Sequence, residues 1–398
     1  MTEELFDAVV VGGGPSGATT ACDLANMGHK VLLLDKAGRI KPCGGAVPPR
    51  LLADFDVPES LLVARARCAR MIAPSDRKVD MPVGEIGYVG MVDRDVFDEW
   101  LRDRAANAGA ERRTGIFESV ERDGSDAPLV CYREGRGGEL RKVRARVVIG
   151  ADGARSAVAR QNITGAENMK CVFAYHEIIR SPASTAEGFD GDRCDVFYQG
   201  KLSPDFYAWV FPHGETASIG VGSANKGFSL RGAVKTMRGD LGLTQCDTVR
   251  TEGAPIPLKP LKRWDNGRDV LVSGDAAGVV APASGEGIYY AMTCGRIAAG
   301  AANDFLVTGN PAMLRRARRD FMREHGRVFW ILGIMQHFWY SSDKRRERFV
   351  EMCADPDVQQ LTWQAYMNKR LVRAKPMAHV RIFMKDCAHL LGLRPVAQ

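Results

Sequence analysis

The first forty residues contain two short apolar runs separated by a glycine-rich turn and a helical segment. Ala8–Val11 and Val31–Leu34 are uninterrupted apolar runs of strand length, a pattern typical of strands buried on both faces. Between them, Ala18–Asn26 is predicted as a helix that opens on glycines. The pattern predicts one strand–helix–strand unit whose second strand ends at an acidic residue, Asp35.

Two later apolar runs carry the same signal of a buried strand. Val147–Ile149 leads into Asp152–Gly153, and Val270–Ser273 leads into Gly274–Asp275. A further helix is predicted a few residues after the second of these strands. A buried strand that leads into an acidic residue is therefore predicted in three separate parts of the chain.

Residues 206–212, FYAWVFP, are predicted as a strand. Because side chains alternate along a strand, two sets of residues face opposite ways: Tyr207, Trp209 and Phe211 against Phe206, Ala208 and Val210. Three large aromatics on one face fit two interpretations. They form either packed core between a sheet and a helix, or an apolar wall for a long apolar ligand.

The C-terminal quarter combines an uncharged segment with basic clusters. Val328–Ser342 contains no Lys, Arg, Asp or Glu, and it is too short to span a bilayer as a helix. It is either a buried core helix or a helix lying in a membrane interface. From Arg296 onward there are 18 basic and 9 acidic residues, whereas the first 295 residues carry 37 and 39. This asymmetry favours an anionic surface or ligand, and without a recognised binding module no nucleic acid is expected.

Composition narrows the class of protein. Of the 398 residues, 45% are hydrophobic and 26% charged, as in soluble proteins of two or three domains. The ten cysteines include no C-x-x-C pair, which argues against a zinc site or a disulfide framework and favours a reducing cytosol. Acidic residues precede the first apolar run, so the N-terminus does not resemble a signal peptide.

The first unit carries a dinucleotide fingerprint, Gly12, Gly14 and Gly17. The first glycine permits a tight turn, the second lets a pyrophosphate approach the backbone, and the third allows close helix–strand packing. Asp35, followed by Lys36, lies where a carboxylate accepts hydrogen bonds from ribose hydroxyls. A glycine-rich turn without a ligand would leave this set unexplained. No second fingerprint opens a helix convincingly, so a nicotinamide donor would bind without a Rossmann domain of its own.

The segment KPCGGAVPPRLL, residues 41–52, places one thiol in a stretch almost bare of side chains. Cys43 precedes Gly44 and Gly45, and such glycines let a backbone lie against a ligand. From the residues alone, two interpretations stay open. Cys43 is either a small buried thiol in a turn or the one reactive side chain of a site.

These segments resemble the flavoproteins related to p-hydroxybenzoate hydroxylase. The resemblance lies in the fingerprint and two further motifs, RARVVIGADGARSAVAR (144–160) and RDVLVSGDAAGVVAPASGEGIYYAM (268–292). It implies FAD as the cofactor, with Asp275 of the Gly274–Asp275 pair on its ribityl chain. The N–H groups around Gly285 and Gly287 would then face the flavin pyrimidine, and Asp152–Gly153 would belong to the same cofactor site.

Within this superfamily the chain resembles the geranylgeranyl reductase family. Four motifs carry the likeness over nearly the whole chain: KPCGGAVPPRLL, GMVDRDVFDEWL (90–101), SPDFYAWVFP (203–212) and GDAAGVVAPASGEGIYYAM. The likeness is to members that saturate the geranylgeranyl tail of chlorophylls and bacteriochlorophylls, or of free geranylgeranyl diphosphate. It implies that Tyr207, Trp209 and Phe211 line the substrate cavity. It also implies that Arg94 contacts FAD, with a surface salt bridge as the alternative.

The resemblance implies an α/β fold with a Rossmann-type FAD-binding domain, an antiparallel-sheet substrate domain and a helical C-terminal region. We assign residues 1–70, 92–170 and 265–310 to the FAD-binding domain, 71–91 and 171–264 to the substrate domain, and 311–398 to the basic C-terminal region.

The implied activity is reduction of isolated double bonds, with NADPH as the expected reductant. Such an alkene has no carbonyl to polarise it, so hydride delivery must be paired with protonation in a dry cavity. Cys43 and then Tyr207 are the candidate catalytic residues, with an ordered water as the alternative donor. Two departures point away from oxygen chemistry: Gly278 stands where aromatic hydroxylases carry histidine, and Tyr207 and Trp209 stand where flavin halogenases carry two tryptophans.

Other functions compete with this hypothesis. They are a flavin monooxygenase of aromatic substrates, a pigment- or lipid-binding protein with a structural flavin, and an archaeal-type lipid or quinone-tail reductase. The expected partner is a prenylated tetrapyrrole or geranylgeranyl diphosphate. We expect a cytoplasmic protein that contacts the inner photosynthetic membrane peripherally through its basic C-terminal region.

Overall fold

A computed structural model describes residues 4–36, 40–182 and 188–369. These residues divide into two compact units. Unit 1 combines the segments up to Val47, Val92–Ala174 and Gly253–Ile334, and unit 2 combines Pro48–Met91, Tyr175–Glu252 and the described residues from Met335 onward. The boundaries differ from the predicted ones. Residues 48–70 cluster with unit 2, because they lead into a strand of its sheet, and the C-terminal region is divided after Ile334.

The strands are numbered in chain order. They are β1 Leu5–Val11, β2 Val31–Asp35, β3 Ala46–Val47, β4 Leu62–Ala66, β5 Cys68–Ile72, β6 Lys78–Pro82, β7 Val89–Val92, β8 Glu111–Thr114, β9 Ile116–Arg122, β10 Pro128–Arg133, β11 Leu140–Gly150, β12 Cys171–Arg180, β13 Arg193–Phe197, β14 Ala208–His213, β15 Thr216–Ser223, β16 Thr248–Pro257 and β17 Val270–Val272.

The α-helices are numbered in the same way. They are α1 Pro15–Asn26, α2 Pro49–Phe55, α3 Arg94–Asn107, α4 Ala157–Asn162, α5 Leu230–Asp240, α6 Ile288–Thr308, α7 Arg315–Trp339, α8 Asp343–Met352 and α9 Pro356–Asn368. Helix α1 begins three residues before the predicted start, because Pro15 fits the first helical position, where no backbone N–H is needed. Among the described residues no helix is long and apolar enough to cross a membrane.

Unit 1 is built on a seven-stranded sheet in the order β8-β2-β1-β11-β10-β9, with β17 also paired to β11. Strands β8, β2, β1, β11 and β17 run parallel, and β10 and β9 add an antiparallel edge. Helix α1 packs between the sheet and helices α3 and α6. The three predicted strands of the acid-ending type thus lie in one parallel sheet, whose carboxyl ends form a common edge where ligands of such folds bind.

Unit 2 is built on a seven-stranded sheet in the order β16-β12-β15-β14-β13-β5-β6. Strands β13, β14 and β15 pair antiparallel, as predicted, and so do β5 and β6, whereas β13 and β5 run parallel. Ala208, Val210 and Ile219 belong to an apolar cluster on one face, where α5 also packs. The opposite face carries the aromatic row of β14. The predicted α/β fold, with a Rossmann-type unit and a largely antiparallel sheet, is confirmed.

Candidate active site

The glycine fingerprint forms a tight turn between β1 and α1. Gly12 has a φ of +105°, and a Cβ on Gly17 would lie 1.8 Å from the Gly12 carbonyl oxygen. A Cβ on Gly14 would meet no heavy atom within 4 Å, and no described side chain caps the first turn of α1. The turn therefore presents open backbone N–H groups at a helix N-terminus, which is the geometry that binds a pyrophosphate.

The acidic residue Asp35 ends β2 beside this turn. Its carboxylate accepts a hydrogen bond from the Lys36 backbone N–H at 2.8 Å, and Arg102 lies 3.4 Å from its Oδ2 atom. Arg102 also donates to the Gly13 carbonyl at 3.3 Å. Burial raises the pKa of Asp35, and the Arg102 charge offsets only part of that rise. Arg102, which ties the acid to the turn, was not predicted from the sequence.

Asp152 ends the second predicted strand and caps helix α4. Its carboxylate accepts hydrogen bonds from the Ser156 hydroxyl at 2.5 Å and the Ala157 backbone N–H at 2.6 Å, and burial raises its pKa. Gly153 follows with a φ of +87°. The contacts shown for Asp152 shape the turn, and a direct contact with the cofactor stays a prediction.

Asp275 follows β17 at the same edge of the sheet. Gly274 has a φ of +62°, and a Cβ there would lie 2.6 Å from the Ser16 side chain, so the turn packs directly on α1. The Asp275 side chain is largely buried and pairs with Lys41 Nζ at 2.5 Å. Lys41 belongs to the KPCGG segment, and its pairing with Asp275 was not predicted from the sequence.

Helix α6 begins close to Asp275. Gly285 has a φ of +66°, and Gly287 immediately precedes the helix. Glu286 is 8% exposed, and its carboxylate accepts from the Tyr289 backbone N–H at 3.3 Å. The N–H groups predicted to face the flavin are therefore accompanied by a buried carboxylate that was not predicted.

Cys43 lies beside a buried ion pair in unit 1. Arg94, at the start of α3, is 4% exposed and binds Asp98 through two hydrogen bonds of 2.8 and 2.7 Å. The Cys43 side chain lies near enough to Arg94 to interact with it electrostatically. Burial alone would lower the pKa of Arg94, but Asp98 and Cys43 more than offset it and the pKa lies above its ordinary value. Cys43 therefore lies next to a permanent positive charge.

This arrangement changes the expectation for Arg94. The alternative of a surface salt bridge is wrong, because both partners of the pair are buried. Asp98 was missed, although its spacing of four residues from Arg94 on a predicted helix was a readable signal. An FAD contact of Arg94 stays a prediction, as do the cofactor roles of Gly44 and Gly45.

The aromatic row lies in unit 2, on the face of the sheet opposite the apolar cluster. Ring centroids are 6.0 Å apart for Tyr207 and Trp209, and 6.2 Å for Trp209 and Phe211. The predicted placement of Phe206 on the other face is wrong. Strand β14 begins only at Ala208, so Phe206 precedes the alternation and its ring stacks on Tyr207 at 4.3 Å.

The residues present fit FAD. Open N–H groups at α1, a carboxylate at the end of β2 and a second carboxylate at the end of β17 are the groups that a pyrophosphate, a ribose and a polyol chain require. All three lie at the carboxyl edge of one parallel sheet. When bound, FAD supplies hydride chemistry that none of the twenty side chains can perform.

Comparison with known proteins places the chain in a family. Residues 10–50 match the NAD(P)-binding Rossmann-like domain, and residues 61–201 match the FAD binding domain. The geranylgeranyl diphosphate reductase of Rhodobacter capsulatus is 56% identical over 98% of this chain and 98% of its own length. The chain belongs to the geranylgeranyl reductase family. It is an FAD-dependent oxidoreductase, as its motifs predicted.

Other relatives of this geranylgeranyl reductase are more distant. The geranylgeranyl diphosphate reductase of Synechocystis is 35% identical, with 96% of this chain and 97% of that protein covered. A geranylgeranyl bacteriochlorophyll reductase-like protein of Thermoplasma acidophilum has a TM-score of 0.80 at 22% identity, covering 93% and 98% of the two chains. The flavin-dependent brominase Bmp2 has a TM-score of 0.75 at 17% identity, covering 97% and 100%. At these identities the two structures show a shared fold alone.

Proposed function

We propose that this reductase saturates the double bonds of a geranylgeranyl chain carried by a chlorophyll or bacteriochlorophyll precursor, or by a free diphosphate, with NADPH as the reductant. The observation that carries the proposal is the 56% identity over the full chain to the Rhodobacter capsulatus geranylgeranyl diphosphate reductase. Two groups of residues support the proposal: Cys43 beside the buried Arg94–Asp98 pair, for protonation, and the aromatic row, for binding the prenyl chain.

Cys43 is the proposed proton donor. Its Sγ–H would give a proton to one alkene carbon and become a thiolate, while bound FAD would supply the hydride that the other carbon requires. The Arg94 guanidinium, which interacts with this sulfur electrostatically, would stabilise the thiolate without having to move, because Asp98 already holds two of its three nitrogens. A preorganised charge of this kind acts at the moment when negative charge develops.

The aromatic row is the proposed wall for the prenyl chain. An isoprenoid offers no polar group for recognition, so its binding depends on apolar area and shape. Tyr207, which directly precedes β14, and Trp209 and Phe211 on that strand are spaced about one ring apart. Several double bonds must be reduced in turn, so the chain has to slide past the reacting atoms, which a smooth apolar wall permits.

Anaerobic incubation with NADPH and geranylgeranylated bacteriochlorophyllide is expected to add two, four and six hydrogens to the pigment. Mass spectrometry of the extracted pigment measures these steps, and free geranylgeranyl diphosphate serves as the parallel substrate. A flavin that is reduced while neither substrate gains mass would contradict the proposal. Oxygen consumption matched by a hydroxylated product would instead establish the competing monooxygenase.

We also propose that the protein contacts a membrane surface, and the residues exposed on one face of α7 support this proposal. Six residues at spacings of three or four form an exposed basic-aromatic stripe: Arg315, Arg319, Arg323, Arg327, Trp330 and Ile334. Trp330 is 69% and Ile334 49% exposed, whereas Phe321 and Phe329 on the other side of the helix are buried against Tyr290. Asp320 pairs with Arg323 and neutralises part of the charge. Exposed Trp beside a row of arginines is the pattern of an interfacial helix.

The reductase is expected to float with vesicles that contain anionic phospholipid and to be released by high salt, because arginines near such a surface contribute about 1 kcal/mol each. Replacing both Trp330 and Ile334 by Ser should weaken binding about tenfold, since the apolar anchors are lost. Val307→Ser is the matched control, because Val307 is 73% exposed in the same unit but lies outside the stripe. Protein that stays in solution with anionic vesicles at low salt would contradict the membrane contact.

A further inference from the structure

A chain of buried polar side chains lies under the middle of the aromatic row in unit 2. The Trp209 indole N–H donates to the Ser218 hydroxyl at 3.1 Å. Ser218 Oγ lies 2.9 Å from His176 Nδ1, and His176 Nε2 lies 2.9 Å from Glu252 Oε2. Arg250 pairs with the other carboxylate oxygen of Glu252 at 2.9 Å. Nothing in the proposed reaction uses this relay, which we define as Trp209, Ser218, His176 and Glu252.

The directions of two hydrogen bonds in the relay follow from the chemistry of their donors and acceptors. An indole N–H can only donate, so Ser218 Oγ accepts from Trp209. Burial raises the pKa of Glu252, but the hydrogen bond and charge of His176 and the charge of Arg250 more than offset it, so the pKa lies below its ordinary value. Glu252 is therefore a carboxylate that only accepts, and His176 donates to it through Nε2.

A hydrolytic role for this Ser–His–Glu set is excluded by its placement. Ser218 is 0% and His176 2% exposed, and the Ser218 oxygen already accepts from Trp209. A nucleophile needs an open approach to its oxygen and a base that takes its proton at the moment of attack. Here the relay ends on an indole ring, so its effect is on the position of Trp209.

The backbone beneath Trp209 is shaped for the same ring. Gly220 lies directly opposite Trp209 on β15, and a Cβ there would lie 2.2 Å from the Trp209 ring and 2.7 Å from His176 Cβ. The residues of β15 on this face are Ser218, Gly220 and Gly222, all small, whereas Ala217, Ile219 and Val221 belong to the apolar cluster on the other face. The ring therefore rests on bare backbone and is fixed in its plane by one hydrogen bond.

We infer that Ser218, His176 and Glu252 are positioning residues that set the orientation of Trp209 and thereby how far along the prenyl chain reduction proceeds. The inference rests on the proposed function, since it concerns the wall of the same substrate site. Without the Ser218 acceptor, the buried indole N–H has to seek another partner, and the ring leaves the plane that Gly220 provides. A wall with a displaced ring no longer lets the chain slide evenly, so partly saturated products accumulate.

Two measurements test this inference. The first is the indole N–H spectrum of protein labelled with 15N-tryptophan, which has six tryptophans; the Trp209 resonance is the one missing in Trp209→Phe. The second is the ratio of partly to fully saturated product. Ser218→Ala and His176→Gln should each shift the Trp209 resonance and raise that ratio about fivefold, the effect of one lost hydrogen bond.

Ser229→Ala is the matched control. It removes the same hydroxyl in the same unit and costs α5 its cap, but it lies at the helix that packs on the other face of the sheet. It should change neither measurement. In a Trp209→Phe background, Ser218→Ala should have no further effect on the product ratio, because the N–H that it serves is gone.

The outcomes separate this inference from the proposed function. The inference is overturned if the Trp209 resonance does not move in the variants, or if it moves while the product ratio stays unchanged. Normal turnover in those variants would leave the proposed function standing. The inference is also overturned if Ser218→Ala changes the product ratio equally in the unaltered protein and in the Trp209→Phe background. If the unaltered protein reduces no geranylgeranyl chain at all, the proposed function fails and the inference fails with it.

Discussion

Gly17→Ala is expected to yield a reductase that retains little or no FAD. The new Cβ would lie 1.8 Å from the Gly12 carbonyl oxygen and 3.0 Å from the Ala151 side chain. The nearest of these atoms is backbone, so the turn itself has to shift, and overpacking of this kind costs about 1–3 kcal/mol. The shift displaces the open N–H groups on which the pyrophosphate site depends. The ratio of FAD to protein after desalting, and the thermal midpoint, measure the effect.

Gly300→Ala is the matched control for this substitution. Gly300 also lies inside a helix of unit 1, and a Cβ there meets no heavy atom within 4 Å. Because alanine favours a helix over glycine by up to about 1 kcal/mol, this variant should keep its FAD and become slightly more stable. Equal FAD content in the two variants would show that the turn does not hold the cofactor.

Arg94→Met is expected to lower the free energy of unfolding by about 3–5 kcal/mol and to abolish alkene reduction. The substitution leaves the Asp98 carboxylate buried without its cation, since the two side chains are only 4% and 8% exposed. It also removes the charge that lies beside Cys43. Denaturant titration measures the stability, and single-turnover reduction of the prenyl substrate measures the chemistry.

A second substitution separates these two effects. Adding Asp98→Leu to Arg94→Met removes both buried charges, which should restore most of the lost stability but none of the turnover. Cys43→Ser and Cys43→Ala provide the comparison, because they leave the pair intact and should lose turnover without losing stability. Turnover regained in the double variant would show that Arg94 acts through folding alone, and full turnover in both Cys43 variants would remove the thiol from the mechanism.

Local patterns predicted the cofactor unit because its signals lie within short stretches of chain. The turn at Gly12 and Gly17 and the strand that ends at Asp35 each depend on fewer than thirty residues, and the structure contains each of them. The errors are local as well. Helix α1 begins at Pro15, and β14 begins too late to include Phe206. The exact first residue of a helix or strand depends on tertiary packing, which a local sequence pattern does not contain.

Contacts between distant residues were not predictable from the sequence. Cys43 and Arg94 come together because the segment between β2 and β3 and the start of α3 belong to one unit, and no spacing rule links them. The relay is more distant still, since His176, Ser218 and Glu252 come from three strands of one sheet. The alternation of small and apolar residues along β15 is a signal in the sequence, because a strand face of small residues leaves space for large side chains on the neighbouring strand.

The order of segments in unit 1 bears on how the reductase is synthesised. The turn at Gly12 leaves the ribosome early, but β17 and the start of α6, at Val270 and Ile288, follow much later. Until they emerge, the nascent sheet lacks its last parallel strand and the Asp275 carboxylate. Such long-range pairings form slowly and leave apolar edges exposed. We therefore expect FAD to bind only after about three quarters of the chain has been made, when the predicted Asp275 ligand is present.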